Sequence, residues 1–140
     1  MVYVDTSDLV PLFIREPKSD AVIAWIESSG ERLAISEWSL VEFASASAIK
    51  VRTGQATAIL AKQAATRVHE FAKKHCTVAV SGREEFRRAT GWVGDDALKL
   101  RAGDALHLAI AARLGVQDML CLDEAMIESA RLLGMSVVAI

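Results

Sequence analysis

The chain has 140 residues, 52% hydrophobic and 24% charged, with a formal net charge of −2. That length fits one domain, 1–140, with a core of its own; the apolar share excludes intrinsic disorder. The charge balance excludes a globally basic nucleic-acid clamp, so a polyanion must be held by a local patch or through metal ions. No run approaches the ~18 uncharged apolar residues of a membrane span; the richest stretch, Ala105–Ala112, contains His107 and ends at Arg113. Asp5 and Asp8 stand where a signal peptide carries cations. Cys76 and Cys121 lie far apart in apolar runs, as buried free thiols do. A cytoplasmic protein without a membrane role is expected.

The elements read as alternating strands and helices. Met1–Val4 is a short strand, closed by Asp5-Thr6-Ser7, residues that suit a helix N-terminus. Asp8–Ile14 reads as a short helix, with Pro11 tolerable in its first turn. Lys18–Ser28 is helical and Gly30 closes it. Arg32–Ser36 is a strand, Ser39–Arg52 a helix and Gln55–Lys74 a longer alanine-rich helix. Then follow strand Thr77–Val80, helix Arg83–Trp92, helix Leu100–Leu114, strand Met119–Leu122, helix Glu124–Leu133 and strand Ser136–Ile140. Short apolar strands joined by helices predict an α/β fold, a short, mostly parallel sheet covered by helices on both faces. In such sheets sites form outside the carboxyl ends of the strands.

Four acids break the pattern of solvent-facing charge. Asp5 and Asp123 each follow an apolar strand directly. Glu42 shares a helix face with Trp38, Ser45, Ala46 and Ile49, and Asp104 with Leu100, Leu108 and Ala111. Each has a structural reading: Asp5 and Asp123 as N-caps, Glu42 paired with a buried arginine, Asp104 at a helix N-terminus. Taken together, four half-buried carboxylates need one compensation, and hard oxygen donors suit Mg²⁺ or Mn²⁺.

These motifs resemble the PIN domain, and within it the VapC-type ribonuclease toxins. Val2-Tyr3-Val4-Asp5-Thr6-Ser7 is similar to the family's opening strand and acid. Ser39-Leu40-Val41-Glu42 matches its glutamate helix, Leu100–Ala109 its aspartate helix, and Cys121-Leu122-Asp123 its fourth acidic position. Cys121 and Met126 depart from the family's hydroxyl and aromatic residues, which makes an outer role for Asp123 the expectation. The resemblance implies a three-layer α/β/α fold and a metal-dependent endoribonuclease of a toxin–antitoxin pair. It implies one or two ions held by Asp5, Glu42, Asp104 and Asp123, a cognate antitoxin and a homodimer. Thr6, Ser7 and His107 are candidate supporting residues; caps and a structural imidazole are their plain alternatives.

RNA contacts are expected from Arg101 and Lys99. Arg101 has a second reading, engaging the carboxylates when no metal is bound. Arg83, Arg87 and Arg88 form a basic helical face, with Glu84 and Glu85 as alternative partners. Trp38, Phe43 and Val51, with the alanine-rich helix, are candidates for a dimer face or an antitoxin groove. A catalytically inactive RNA-binding PIN module, or a nuclease outside a toxin–antitoxin system, is the competing reading. A haloacid-dehalogenase-type phosphatase needs Asp-x-Asp, and Ser7 stands in the way. A receiver domain needs an acid after the third strand, where Ser81-Gly82 follows Val80.

Overall fold

The computed structural model describes residues 1–140. Its strands are β1 (Val2–Val4), β2 (Leu33–Ser36), β3 (Cys76–Ala79), β4 (Asp118–Leu120) and β5 (Ser136–Val138). They pair in the order β3-β2-β1-β4-β5, and every pairing is parallel. The helices are α1 (Thr6–Leu9), α2 (Ser19–Ser29), α3 (Glu37–Arg52), α4 (Ala58–His75), α5 (Arg83–Val93), α6 (Ala102–Arg113) and α7 (Glu124–Leu132), with a 3₁₀ turn at Val10–Leu12.

Alternation along each strand sends side chains to two buried faces. Tyr3, Ala34 and Met119 pack with Ala89 of α5, Leu108 of α6 and Ala130 of α7. Val2, Val4, Leu33, Ile35 and Leu120 pack with Val22 of α2 and Ala72 of α4. The result is three layers, helix on sheet on helix. A smaller cluster of Leu9, Val10, Phe43 and Val68 ties α1 and the 3₁₀ turn to α3 and α4. Phe43 is only 1% exposed in it, so that ring belongs to the core and furnishes no dimer face. The large exposed apolar residues of α3 are Val41 and Ile49.

Several boundaries differ from the sequence reading for identifiable reasons. Asp5 caps α1, so the helix begins at Thr6 rather than Asp8. Pro11 lacks the amide that would extend it, and the chain tightens into a 3₁₀ turn. Ser36 and Ser39 form a reciprocal capping box that starts α3 at Glu37. Lys99 has φ +51 and Arg101 is extended, so α6 starts at Ala102 and not Leu100. A left-handed non-glycine residue costs roughly 1–3 kcal/mol; here it turns the chain so that Arg101 enters α6 as its N-cap. All residues of α6 from Ala105 to Ala111 are buried. Cys76 and Cys121 are both free thiols. No helix is long and apolar enough to cross a membrane.

The chain leaves β1 for β2 on one side and later returns to β4 on its other side. The carboxyl ends of β1 and β4 therefore flank the topological switch point, where open parallel sheets form their binding crevice.

Candidate active site

A cleft of about 470 Å³ opens at that switch point, with Asp5, Glu42, Asp104 and Asp123 in its wall beside Thr6, Ser7 and Arg101. Four elements supply the acids. Asp5 follows β1, Glu42 projects from α3, Asp104 lies in the first turn of α6, and Asp123 precedes α7. Lys99 is exposed and does not line this cleft. Arg83, Arg87 and Arg88 are also exposed and outside it. Their expected partner Glu85 is buried and pairs with Arg113 at 2.7 Å instead.

Capping and site roles are not alternatives for the two aspartates. Asp5 accepts the Ser7 amide on Oδ2 at 2.9 Å, while Oδ1 lies 3.6 Å from His107 Nε2. Asp123 accepts the amides of Ala125 and Met126 on Oδ1 at 3.0 and 3.1 Å, leaving Oδ2 to Arg101 at 2.6 Å. In each, one oxygen fixes the helix start and the other is left to a neighbour of opposite charge, His107 for Asp5 and Arg101 for Asp123. The cap thereby orients the carboxylate.

Glu42 is held from two sides. Its Oε2 accepts the Thr6 hydroxyl at 2.8 Å and the His107 Nε2–H at 2.6 Å. The other oxygen lies against Gly103, where a Cβ would fall only 2.6 Å from Oε1. Glycine at the start of α6 is thus the condition for the α3 carboxylate to reach the cleft. The Trp38 indole N–H is buried beside them; it makes no well-formed hydrogen bond, yet it points enough toward Glu42 to help hold its charge. Burial disfavours the Glu42 charge, but the His107 and Thr6 bonds outweigh it and hold its pKa below the ordinary value.

His107 is 1% exposed. Burial opposes its protonation; Tyr3, the Glu42 hydrogen bond and the Asp5 and Glu42 charges win, raising its pKa to about 10. As an imidazolium it donates from both nitrogens, Nε2 to Glu42 and Nδ1 to the Tyr3 hydroxyl at 2.9 Å. Tyr3 then donates to Ser36 at 3.0 Å, which links the site to the α3 cap. Asp104 behaves oppositely to Glu42. Burial raises its pKa most, Arg101 pulls it back, and Asp123 and Asp5 push it up again.

Sequence reasoning missed Asp8. It is fully buried, one of its oxygens has no partner, and Ser7 Oγ donates to the other at 3.3 Å. Burial and the charge of Asp5 raise its pKa to about 7. The available signal was its position three residues after Asp5, on the same side of a short helix. Tyr3 was also missed, although a single hydroxyl within an otherwise apolar strand marks a polar partner behind the sheet. Thr6 and Ser7 turn their hydroxyls inward, to Glu42 and to Asp8 and the Leu122 amide.

The donor set is all hard oxygen, with mutual repulsion raising Asp104; that chemistry suits a divalent cation. As the side chains stand, no three His, Cys, Asp or Glu groups close on a single ion position. Arg101 and His107 supply the compensating positive charge.

The ionisations make the metal-free stability pH-dependent with a definite sign. Asp8 ordinarily titrates at 3.8 and here at about 7, so folding binds its proton and stability declines as pH rises between these values. His107 ordinarily titrates at 6.5 and here at about 10, so its contribution is complete below 6.5 and lost as pH climbs through 10. In EDTA, Tm is expected to fall along both limbs. Asp8→Asn should flatten the limb from pH 4 to 7, a span worth at most about 4 kcal/mol, and His107→Gln the limb from 6.5 to 10. Thermal denaturation across pH checks this; unchanged profiles in both variants would refute it.

The pattern of the PIN domain family matches residues 2–132. Ribonuclease VapC46 of Mycobacterium tuberculosis is 31% identical over 99% of this chain and 96% of its own length. The crystal structure of Mycobacterium tuberculosis VapC20, described as a sarcin-ricin-loop-cleaving toxin, superposes with TM-score 0.77 and 17% identity over the whole of both chains. VapBC2 of Rickettsia felis, solved bound to a DNA fragment from their promoter, superposes with TM-score 0.67 at 13% identity, covering 99% of this chain and 98% of that one. The parallel sheet, the cleft at its switch point and these likenesses agree, and the chain belongs to the PIN domain family as a protein of the VapC type.

Proposed function

We propose that this chain hydrolyses RNA phosphodiester bonds in a divalent-metal-dependent reaction, as the toxin of a toxin–antitoxin pair. The observation that carries the reading is the convergence of four carboxylates from four separate elements on one cleft at the switch point. Asp5, Glu42 and Asp104 are the principal ligands, directly or through water, and Asp123 the outer one. Bound there, Mg²⁺ or Mn²⁺, one ion or two, supplies Lewis-acid stabilisation of phosphoryl charge and a water acidic enough to attack near neutral pH.

The chain's own residues set this up by positioning. Caps at Asp5 and Asp123 fix one oxygen of each and keep the other out of the helix start, on residues that line the cleft. Thr6 and His107 fix the Glu42 carboxylate. His107 holds a proton between Tyr3 and Glu42 and so balances buried negative charge. Arg101, 68% exposed at the mouth, is the cation nearest an arriving phosphate.

The named relative is a ribonuclease and one structural neighbour is a VapBC protein, which supports an RNA substrate and an antitoxin partner. A homodimer would use exposed apolar surface away from the cleft; on α3 that is Val41, since Ile49 lines the cleft itself. One domain over 1–140, acting in the cytoplasm, completes the reading.

The test is a cleavage assay of the purified protein on total RNA with Mg²⁺, Mn²⁺ or EDTA. Cleavage with either metal and none in EDTA is expected. Cleavage insensitive to EDTA would contradict the metal assignment. Absence of cleavage with both metals would leave a non-enzymatic RNA-binding module.

A further inference from the structure

Arg101 is the one cation in the wall of the acidic cleft, and its guanidinium is claimed twice. Nε donates to Asp104 Oδ2 at 3.1 Å and an NH₂ group to Asp123 Oδ2 at 2.6 Å. The two acids come from different helices, so the arginine bridges the start of α6 to the start of α7. It spends Oδ2 of Asp123, whose other oxygen is committed to the cap. A fork that pairs with two carboxylates matches carboxylate and phosphate alike.

We infer that Arg101 is an exchangeable counter-cation: a divalent ion displaces its guanidinium from Asp104 and Asp123, and the freed side chain then binds a phosphate of the RNA. This deepens the metal-dependent nuclease reading and rests on it. The guanidinium already sits on Oδ2 of both acids, so an ion held by the same two carboxylates would meet a second cation at close range, and the two would repel. Displacement is eased from the arginine side: the guanidinium is 68% exposed and water can take it up, while Asp104 and Asp123 are more covered, at 18% and 32%. Arg101 also sits at the N-cap of α6 with an extended backbone, ahead of the helix, so its side chain can turn outward without disturbing α6. The consequence is ordering. Without metal the arginine is internally satisfied and adds little to RNA affinity. With metal it presents a bidentate phosphate donor beside the reacting group. RNA engagement is thereby coupled to metal loading through one side chain.

The full-length chain with Arg101→Ala tests this with two binding readouts. Calorimetric titration with Mn²⁺ is expected to show about tenfold tighter metal binding than wild type, since the internal competitor is gone. Anisotropy of a labelled single-stranded RNA, confirmed intact by gel after each titration, supplies the second. In EDTA the variant and wild type should bind RNA within twofold of each other. With saturating Mn²⁺ the variant should bind several-fold more weakly. Arg101→Lys, which keeps the charge but loses the fork, should fall between the two in the metal-loaded RNA titration.

Unchanged or weaker metal binding in Arg101→Ala overturns the exchange. An equal loss of RNA affinity with and without metal overturns it as well, because the arginine would then be a constitutive phosphate contact. If wild type binds no Mn²⁺ and cleaves nothing, the nuclease reading itself fails. If wild type does both and only the arginine effects are absent, this inference alone fails.

Discussion

Asp104→Asn is expected to lower metal-dependent RNA cleavage by at least about 100-fold while leaving the metal-free fold as stable as before or slightly more so. Outer partners of metal ligands alone are typically worth 10–100-fold, so the loss of a proposed principal ligand is expected at or beyond the top of that range. The stability half follows from the local electrostatics. Burial, Asp123 and Asp5 all disfavour ionised Asp104, and only Arg101 favours it. A near-isosteric amide removes both the burial cost and the repulsion, and what it loses is one ion pair whose arginine end is 68% exposed and therefore weak. Asp5→Asn should lower activity to a similar degree, with little stability cost from the cap on the Ser7 amide, because asparagine and aspartate cap helices about equally well. Cleavage rates and Tm in EDTA, measured on the same preparations, check both halves. Full activity in either variant would remove these acids from the mechanism.

Gly103→Ala is the second large effect, and it acts without removing any functional group. The new Cβ would stand 2.6 Å from Glu42 Oε1, too close for any real contact. Glu42 cannot simply step aside, because its other oxygen is held by Thr6 and by buried His107. Either the carboxylate shifts or α6 retreats, and both move a ligand. Misplacement of about 1 Å in a reacting site costs on the order of 100-fold, and overpacking costs roughly 1–3 kcal/mol. Gly91→Ala is the matched control. It lies inside α5 with nothing within 4 Å of the added carbon, so it should stabilise by about 0.5–1 kcal/mol and leave cleavage unchanged. Equal behaviour of the two variants would show that Gly103 serves no site role.

Most of the fold was legible because its signals are local and strong. Apolar runs of three to five residues alternate with helical spacing, and parallel pairing follows from the helices between them. The four acids stood out for the same reason: they occupy strand ends and apolar helix faces where a carboxylate is costly. The boundaries that shifted were set by backbone details carrying weaker signals. Examples are the reciprocal bonds of Ser36 and Ser39, the missing Pro11 amide and the left-handed turn at Lys99. Asp8 escaped because it reads as a first-turn acid on an exposed helix. Only the packing of α1 beneath the cleft buries it completely.

The sequence by itself determined which residue types are available to the site and on which elements they ride, since each acid is marked by its immediate neighbours. It also determined the covered parallel sheet, through the continuous apolar strands. Tertiary structure alone decided what those residues do to one another. Glu42 and His107 are 65 positions apart, Tyr3 and His107 are 104 apart, and Arg101 and Asp123 are 22 apart. No periodicity in the chain encodes such pairs. They arise because β1 is central and its two neighbours lead away in opposite directions, which brings α1, α3, α6 and α7 to one end of the sheet. There a cap and a place in the cleft wall stop being alternatives for Asp5 and Asp123, because a carboxylate has two oxygens: one takes the cap amides and the other is left to His107 or to Arg101.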